Sequence, residues 1–294
     1  MRCFILSATF AFWAVMMGLL YVKHVRPQVP PELADREIEA MFADSGPPPP
    51  VLRTIWLRDP EGGSEEDRLG AIETRYLRIG DGEIQVSDRA VGKLPAAAAA
   101  LLGGPSLISY FGISRISRLK GLVEMDAVFS GLGREVVIHG ARRGDYIEVE
   151  YSFSSDKGEK RSGKDVYPLE PGTYASTGLS PFRKMSKIED GMEWQVAILD
   201  PSRADSTRPV LTTARVTGKK TIRVGGRDVE TYEVTCLEGK AKAWYLADGS
   251  VVRERWLLLG TIPVTIQYED PEKGASFFGR TRGWTVHGKF HRLP

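Results

Sequence analysis

The chain contains no asparagine, only two cysteines and four histidines, and these scarcities exclude several classes of protein. Without asparagine there is no N-glycosylation sequon. Cys3 lies in a long apolar run and Cys236 in a strand-like stretch, so no disulfide framework is expected. His24, His139, His287 and His291 are too scattered to suggest a metal site. His287 and His291 have helical spacing, but Gly283 and Gly288 disfavour a helix there. No P-loop, HExxH, CxxC or Gly-x-Ser-x-Gly motif is present. Paired carboxylates such as Glu124 and Asp126 occur at no more than a background rate. The chain is therefore expected to be non-enzymatic and to need no cofactor. A strong basic excess is missing too. Forty Lys and Arg oppose 38 Asp and Glu, for a formal net charge of +2, which argues against nucleic acid as a partner.

Residues 3–22 form a run without any charged residue, followed by Lys23, His24 and Arg26. Twenty such residues suffice to cross ~30 Å of hydrocarbon as a helix. The end of the run, Met16-Met17-Gly18-Leu19-Leu20-Tyr21, fits a small-x-small cleavage site poorly, so an uncleaved signal anchor over 1–26 is expected. The basic residues flanking it lean weakly against export. The β-rich body and the missing cytosolic enzyme motifs favour a body outside a bacterial cytoplasmic membrane, with the bilayer as partner through 3–22. Residues 27–50 hold Pro27, Pro30, Pro31 and Pro47–Pro50 and read as a semi-rigid tether, with a short helix possible over Glu32–Phe42.

The body, 51–270, reads as antiparallel β structure, a curved half-barrel-like sheet with a few short helices. Asp81-Gly82, Gly225-Gly226, Glu238-Gly239 and Asp248-Gly249 sit between alternating apolar runs, as hairpin turns do. Leu94–Leu102, rich in alanine, reads as a helix. Leu107–Leu119 reads as helix or irregular chain broken by Gly112, Ser154–Lys164 as a basic loop, and Phe182–Ile188 as a turn or two of helix. Parity breaks at Asp228–Thr231, where a bulge is expected. The tail, 271–294, mixes Lys273, Arg280, Arg282, Lys289 and Arg292 with Phe277, Phe278, Trp284 and Phe290. It reads either as a membrane-facing segment or as a last strand packed on the body.

Register around Glu238-Gly239 sets Tyr232 against Tyr245, Val234 against Ala243 and Cys236 against Ala241. Across the next turn it sets Tyr245 against Val252, Ala243 against Glu254 and Ala241 against Trp256. All of these share one face, read as the buried one. The opposite face carries Trp244 across from Arg253, expected to pair as cation and ring. Two features of the buried face stand out. Ala241 and Ala243 leave space to be filled, and Glu254 is a carboxylate among apolar neighbours. One reading has the Ala96–Leu102 helix fill that space while an Arg or the sheet rim satisfies Glu254. The other is an apolar-ligand or acyl-chain site formed by Tyr232, Ala241, Ala243, Tyr245, Glu254 and Trp256.

The stretches Gly191-Met-Glu-Trp194, Leu199-Asp200-Pro201, Gly226-Arg227-Asp-Val229, Tyr232-Glu-Val234 and Ala243-Trp244-Tyr-Leu-Ala-Asp248-Gly249-Ser-Val-Val-Arg253 give the chain a resemblance to β-rich periplasmic domains of unknown function. Similar domains precede the catalytic part of exported bacterial transglutaminase-like proteins, and they resemble the lipoprotein-carrier fold, a curved antiparallel sheet around a helical plug. The transglutaminase Cys–His–Asp set has no counterpart here. The resemblance implies a binding or scaffolding role, with an envelope protein or an apolar ligand as partner.

Overall fold

The computed structural model describes residue 42 and residues 50–268, apart from 81, 97–98, 101–106, 120, 169–173, 177–181, 183, 186, 199–209, 237–238 and 259–261. Among the described residues, fifteen strands form one sheet. They are β1 (Val51–Trp56), β2 (Arg68–Gly80), β3 (Glu83–Lys93), β4 (Leu107–Ser117), β5 (Gly121–Gly131), β6 (Arg134–Arg143), β7 (Tyr146–Ser155) and β8 (Lys160–Pro168), then β9 (Tyr174–Ser176), β10 (Glu193–Ile198), β11 (Val210–Val224), β12 (Arg227–Cys236), β13 (Ala241–Tyr245), β14 (Val251–Leu258) and β15 (Ile262–Tyr268). The order is β8-β7-β6-β5-β4-β3-β2-β1-β15-β14-β13-β12-β11-β10-β9. Two meanders thus meet where β1 pairs with β15. Every pairing is antiparallel except β9 with β10. Among the described residues the sheet curls until β9 lies against β5, but β8 and β9 remain edges and no barrel closes.

One face carries two apolar clusters. The first runs from Ile55, Ile72 and Tyr110 to Val149 and Phe153. The second joins Trp194, Ala214, Val234, Ala243 and Tyr245 to Phe182, Met185 and Ile188. A third, smaller cluster seats Phe42 against Ile84, Val86, Ile116 and Tyr76.

Several expectations need correcting. Leu107–Ser117 is a strand whose burial alternates residue by residue, because Ile108, Tyr110, Ser114 and Ile116 follow period two and Gly112 sits on the same face beneath the Tyr110 ring. Ser154–Lys164 is the β7–β8 hairpin, turned at Asp156–Gly158, rather than a loop. The described residues of Phe182–Ile188 form no helix. The bulge lies not at Asp228–Thr231 but on β11 between Val216 and Gly218, across from Val234 and Glu233, where Gly218 at φ 137° absorbs the irregularity. Of the expected helix over Leu94–Leu102, only 94–96, 99 and 100 are described, and the Ala99 N–H donates to the Pro95 carbonyl at 2.9 Å. No helix among the described residues is long and apolar enough to cross a membrane. Residues 3–22, the tether helix up to Met41, and the tail from 271 lie outside the described residues.

Candidate binding face

The β12–β14 meander supplies the face singled out by the sequence. Tyr232 pairs with Tyr245, Val234 with Ala243, Cys236 with Ala241, and Ala243 with Glu254, as the turn chemistry implied. A register shift between Trp244 and Tyr245 puts Tyr245 against Val251 instead of Val252. Ala241, Ala243, Tyr245 and Glu254 are wholly buried. Tyr232 and Trp256 are half-buried at the borders, with the Lys219 ammonium 5.5 Å from the Tyr232 ring centre.

The space over the alanines is filled, and the described residues of the expected helix take no part in it. Ala99 belongs to the first cluster, whereas Ala241 and Ala243 belong to the second with Phe182, Met185 and Ile188. These three side chains are all but fully buried. Phe182 meets Tyr245 edge to face, with centroids 6.5 Å apart and planes at 78°. The Met185 N–H donates to the Gly249 carbonyl at 2.9 Å. Gly249 has φ 77°, and a Cβ there would run into the Met185 backbone. The Asp248-Gly249 turn thus serves twice, reversing the chain and seating the strap that contains Met185.

Glu254 is satisfied within a polar row that crosses five adjacent strands. Tyr268 on β15 donates its hydroxyl to Glu254 Oε1 at 2.9 Å. Tyr268 lies across from Arg53 on β1, whose guanidinium sits 5.6 Å from the Tyr268 ring centre. Arg53 in turn bonds Thr74 on β2 and lies 3.5 Å from Asp88 on β3. Burial would lower the Arg53 pKa, but the negative groups facing it, Asp88 and Glu254 among them, raise it above its ordinary value. Burial, then the Glu254 charge, push the Tyr268 hydroxyl well above the usual phenol range. Burial likewise pushes the Cys236 thiol up to about 12, with Glu254 adding to it. This row keeps protons in place and joins the two meanders. Sequence reading found Glu254 but missed Arg53, Thr74, Asp88 and Tyr268, because no local pattern shows that β1 pairs with β15.

The opposite face is covered as well. Arg253 is buried, yet it does not stack on Trp244 across the strand. Its guanidinium donates to the Arg223 carbonyl at 2.7 Å and to Gln267 Oε1 at 3.0 Å, and it meets Asp59 at 3.3 Å. Reaching Arg223 requires the β11–β12 hairpin to fold back across β13 and β14. The Lys220 ammonium, 5.9 Å from the Trp244 ring centre, takes the place expected for Arg253. Glu61 holds the hairpin tip, accepting the Gly225 and Gly226 N–H groups at 2.7 and 3.2 Å. Both glycines have positive φ, so their amides converge on one carboxylate.

Beside this fold-back lies a groove of about 280 Å³ lined by Lys220, Lys240, Lys242 and Arg255, with Glu233, Trp244 and Trp256. Burial opposes the Glu233 charge, but hydrogen bonds from Lys220 and Lys242 outweigh it and hold the carboxyl below its ordinary range. Elsewhere, His139 Nδ1 lies 2.8 Å from Asp126 Oδ1 on neighbouring strands, both partly exposed. Among the described residues, no group of three His, Cys, Asp or Glu could hold a metal ion.

No family model matches the chain, and no curated protein matches it. Among solved structures, the chain is similar to the β-barrel-like protein of domain of unknown function DUF1849 from Brucella abortus. That match has 10% identity and a TM-score of 0.33, and it covers 75% of this chain and 94% of that one. The expected likeness to transglutaminase-associated and lipoprotein-carrier domains is not shown by these comparisons.

Proposed function

We propose that this chain is a membrane-tethered envelope protein acting as a non-enzymatic interaction or scaffold domain, with its body on the outer side of the cytoplasmic membrane. The observation that carries this reading is the filling of the inner face. Phe182, Met185 and Ile188 occupy the space over Ala241 and Ala243, and the Arg53–Tyr268 row satisfies Glu254. A face already saturated by its own chain offers its rims, edges and outer surface to partners. The charge-free run 3–22 supplies the anchor and 27–50 the spacer. Removing 1–26 is expected to leave a folded body that no longer works in the cell. Full complementation by an exported, untethered body would contradict the proposal.

A second reading keeps the inner face as the site of an acyl chain, bordered by Tyr232, Tyr245 and Trp256 with Glu254 at its polar end. Its support is the strap itself, irregular chain whose apolar side chains stand where a ligand's methylenes would. Binding would then require the strap to leave.

A further inference from the structure

Five of the six most exposed large apolar side chains cluster toward one end of one half of the sheet. Leu119 is 94% exposed, Leu77 56%, Val166 55%, and Ile79 and Tyr146 44% each. The register explains the clustering. Gly80 pairs with Glu83, Glu83 with Ser117, Ser117 with Gly121, Arg143 with Tyr146, and Tyr146 with Pro168. The tips of β2–β3, β4–β5 and β6–β7 therefore stand at one level, and their outermost strands are about 25 Å apart at ~4.8 Å per strand. The Arg118 N–H donates to the Gly82 carbonyl at 2.8 Å, binding the first tip to the second. Arg142 Nε donates to the Gly144 carbonyl at 2.8 Å and braces the third.

Each tip pairs an exposed apolar residue with an exposed arginine: Ile79 with Arg78, Leu119 with Arg118, and Tyr146 with Arg143. Glu83 and Asp145 share the rim, so its positive charge is moderate. A partner for such a surface must accept apolar tips a few ångströms deep while presenting negative charge around them. An anionic bilayer does both. The place of Phe42 points the same way. Phe42 is buried against Ile84 and Ile116, each one residue from its strand's end at this rim.

We infer that this rim is a bilayer-docking surface, on which Leu77, Ile79, Leu119 and Tyr146 dip into the interface while Arg78, Arg118 and Arg143 meet anionic headgroups. The inference rests on the tethered reading and adds the orientation of the body, which lies with this rim on the membrane.

The test is amide exchange on the full chain reconstituted in nanodiscs containing phosphatidylglycerol. Peptides covering 77–82, 117–121 and 143–147 exchange roughly tenfold more slowly than in discs of phosphatidylcholine alone. The turns at the other end, 131–134 and 155–160, serve as controls and do not change. Leu119→Asp, at a side chain almost wholly in solvent, leaves the unfolding transition unchanged but restores fast exchange at 143–147, because the rim lifts as a unit. Co-elution with discs while the tips exchange as fast as in phosphatidylcholine would overturn this inference alone. Failure to co-elute would overturn the tethered reading, and this inference with it.

Discussion

Tyr268 donates its hydroxyl to Glu254 across the junction of the two meanders, at 2.9 Å and with the Glu254 side chain wholly out of solvent. The bond places a phenol of raised pKa against a buried carboxylate, and the Arg53 guanidinium lies 5.6 Å from the centre of the same ring. Tyr268→Phe removes the donor and keeps the shape. It is expected to cost ~1–3 kcal/mol, since the carboxylate loses a partner it cannot replace with water. Urea unfolding of the variant checks this. An unchanged midpoint would mean that other contacts satisfy Glu254 without Tyr268.

Gly249→Ala tests the seat of the strap. The new methyl meets the Met185 backbone, and alanine disfavours φ 77°. The positive φ alone costs ~1–2 kcal/mol, so the total loss exceeds that figure. Near-ultraviolet circular dichroism of Tyr245 and Trp194 changes as Phe182 and Met185 shift. A variant as stable as the parent would show that the strap does not depend on this turn.

Much of the meander was legible before the structure, because Glu238-Gly239 and Asp248-Gly249 fix pairing within a few residues of themselves. Tyr232–Tyr245, Val234–Ala243 and Ala243–Glu254 all follow from those turns. Illegible were contacts set by closure at long range. Phe182 reaches Tyr245 across 63 residues, and the Gly225 N–H reaches Glu61 across 164, with no periodicity to announce either. The Arg253–Trp244 stack failed for the same reason. The hairpin fold-back offers Arg253 the Arg223 carbonyl and the β1–β2 connection offers the Asp59 and Glu61 carboxylates, which bind a guanidinium more strongly than an indole does. Leu107–Ser117 is a strand and no helix because Gly112 gives room to the Tyr110 ring rather than breaking the chain, a contact that spacing alone does not show.

The Glu61 clamp makes a local prediction. Glu61→Ala frees the Gly225 and Gly226 amides and loosens the β11–β12 tip from Arg253. Amide exchange at 222–229 rises, while that of β12–β14 near Val234 and Ala243 stays slow. The overall cost is expected at ~1–2 kcal/mol, as for other lost charge-assisted bonds. Equal exchange at the tip in parent and variant would remove the clamp from the account.

Cys236 carries a pH signature. Its folded pKa near 12 lies above the unfolded value of about 8.5, so the folded state holds its proton where the unfolded state releases it. The effect on stability is therefore absent below pH 8.5. Stability then falls as pH rises, by up to ~1.4 kcal/mol per unit. Cys236→Ala removes this slope between about pH 8.5 and 10, below the range in which phenols of the unfolded chain ionise. A slope that persists in the variant would assign it to another group.

The filled inner face is most directly tested at Ala243. Ala243→Phe in the body spanning 42–294 is examined by urea unfolding, in parallel with titration of parent and variant by a fluorescent fatty acid followed through tryptophan emission. The strap of Phe182, Met185 and Ile188 leaves no room for a phenyl ring. The variant should lose ~1–3 kcal/mol by overpacking, and neither protein should bind the fatty acid saturably. A variant as stable as the parent, together with saturable binding that only the parent shows, would contradict the scaffold reading and assign the face to a ligand.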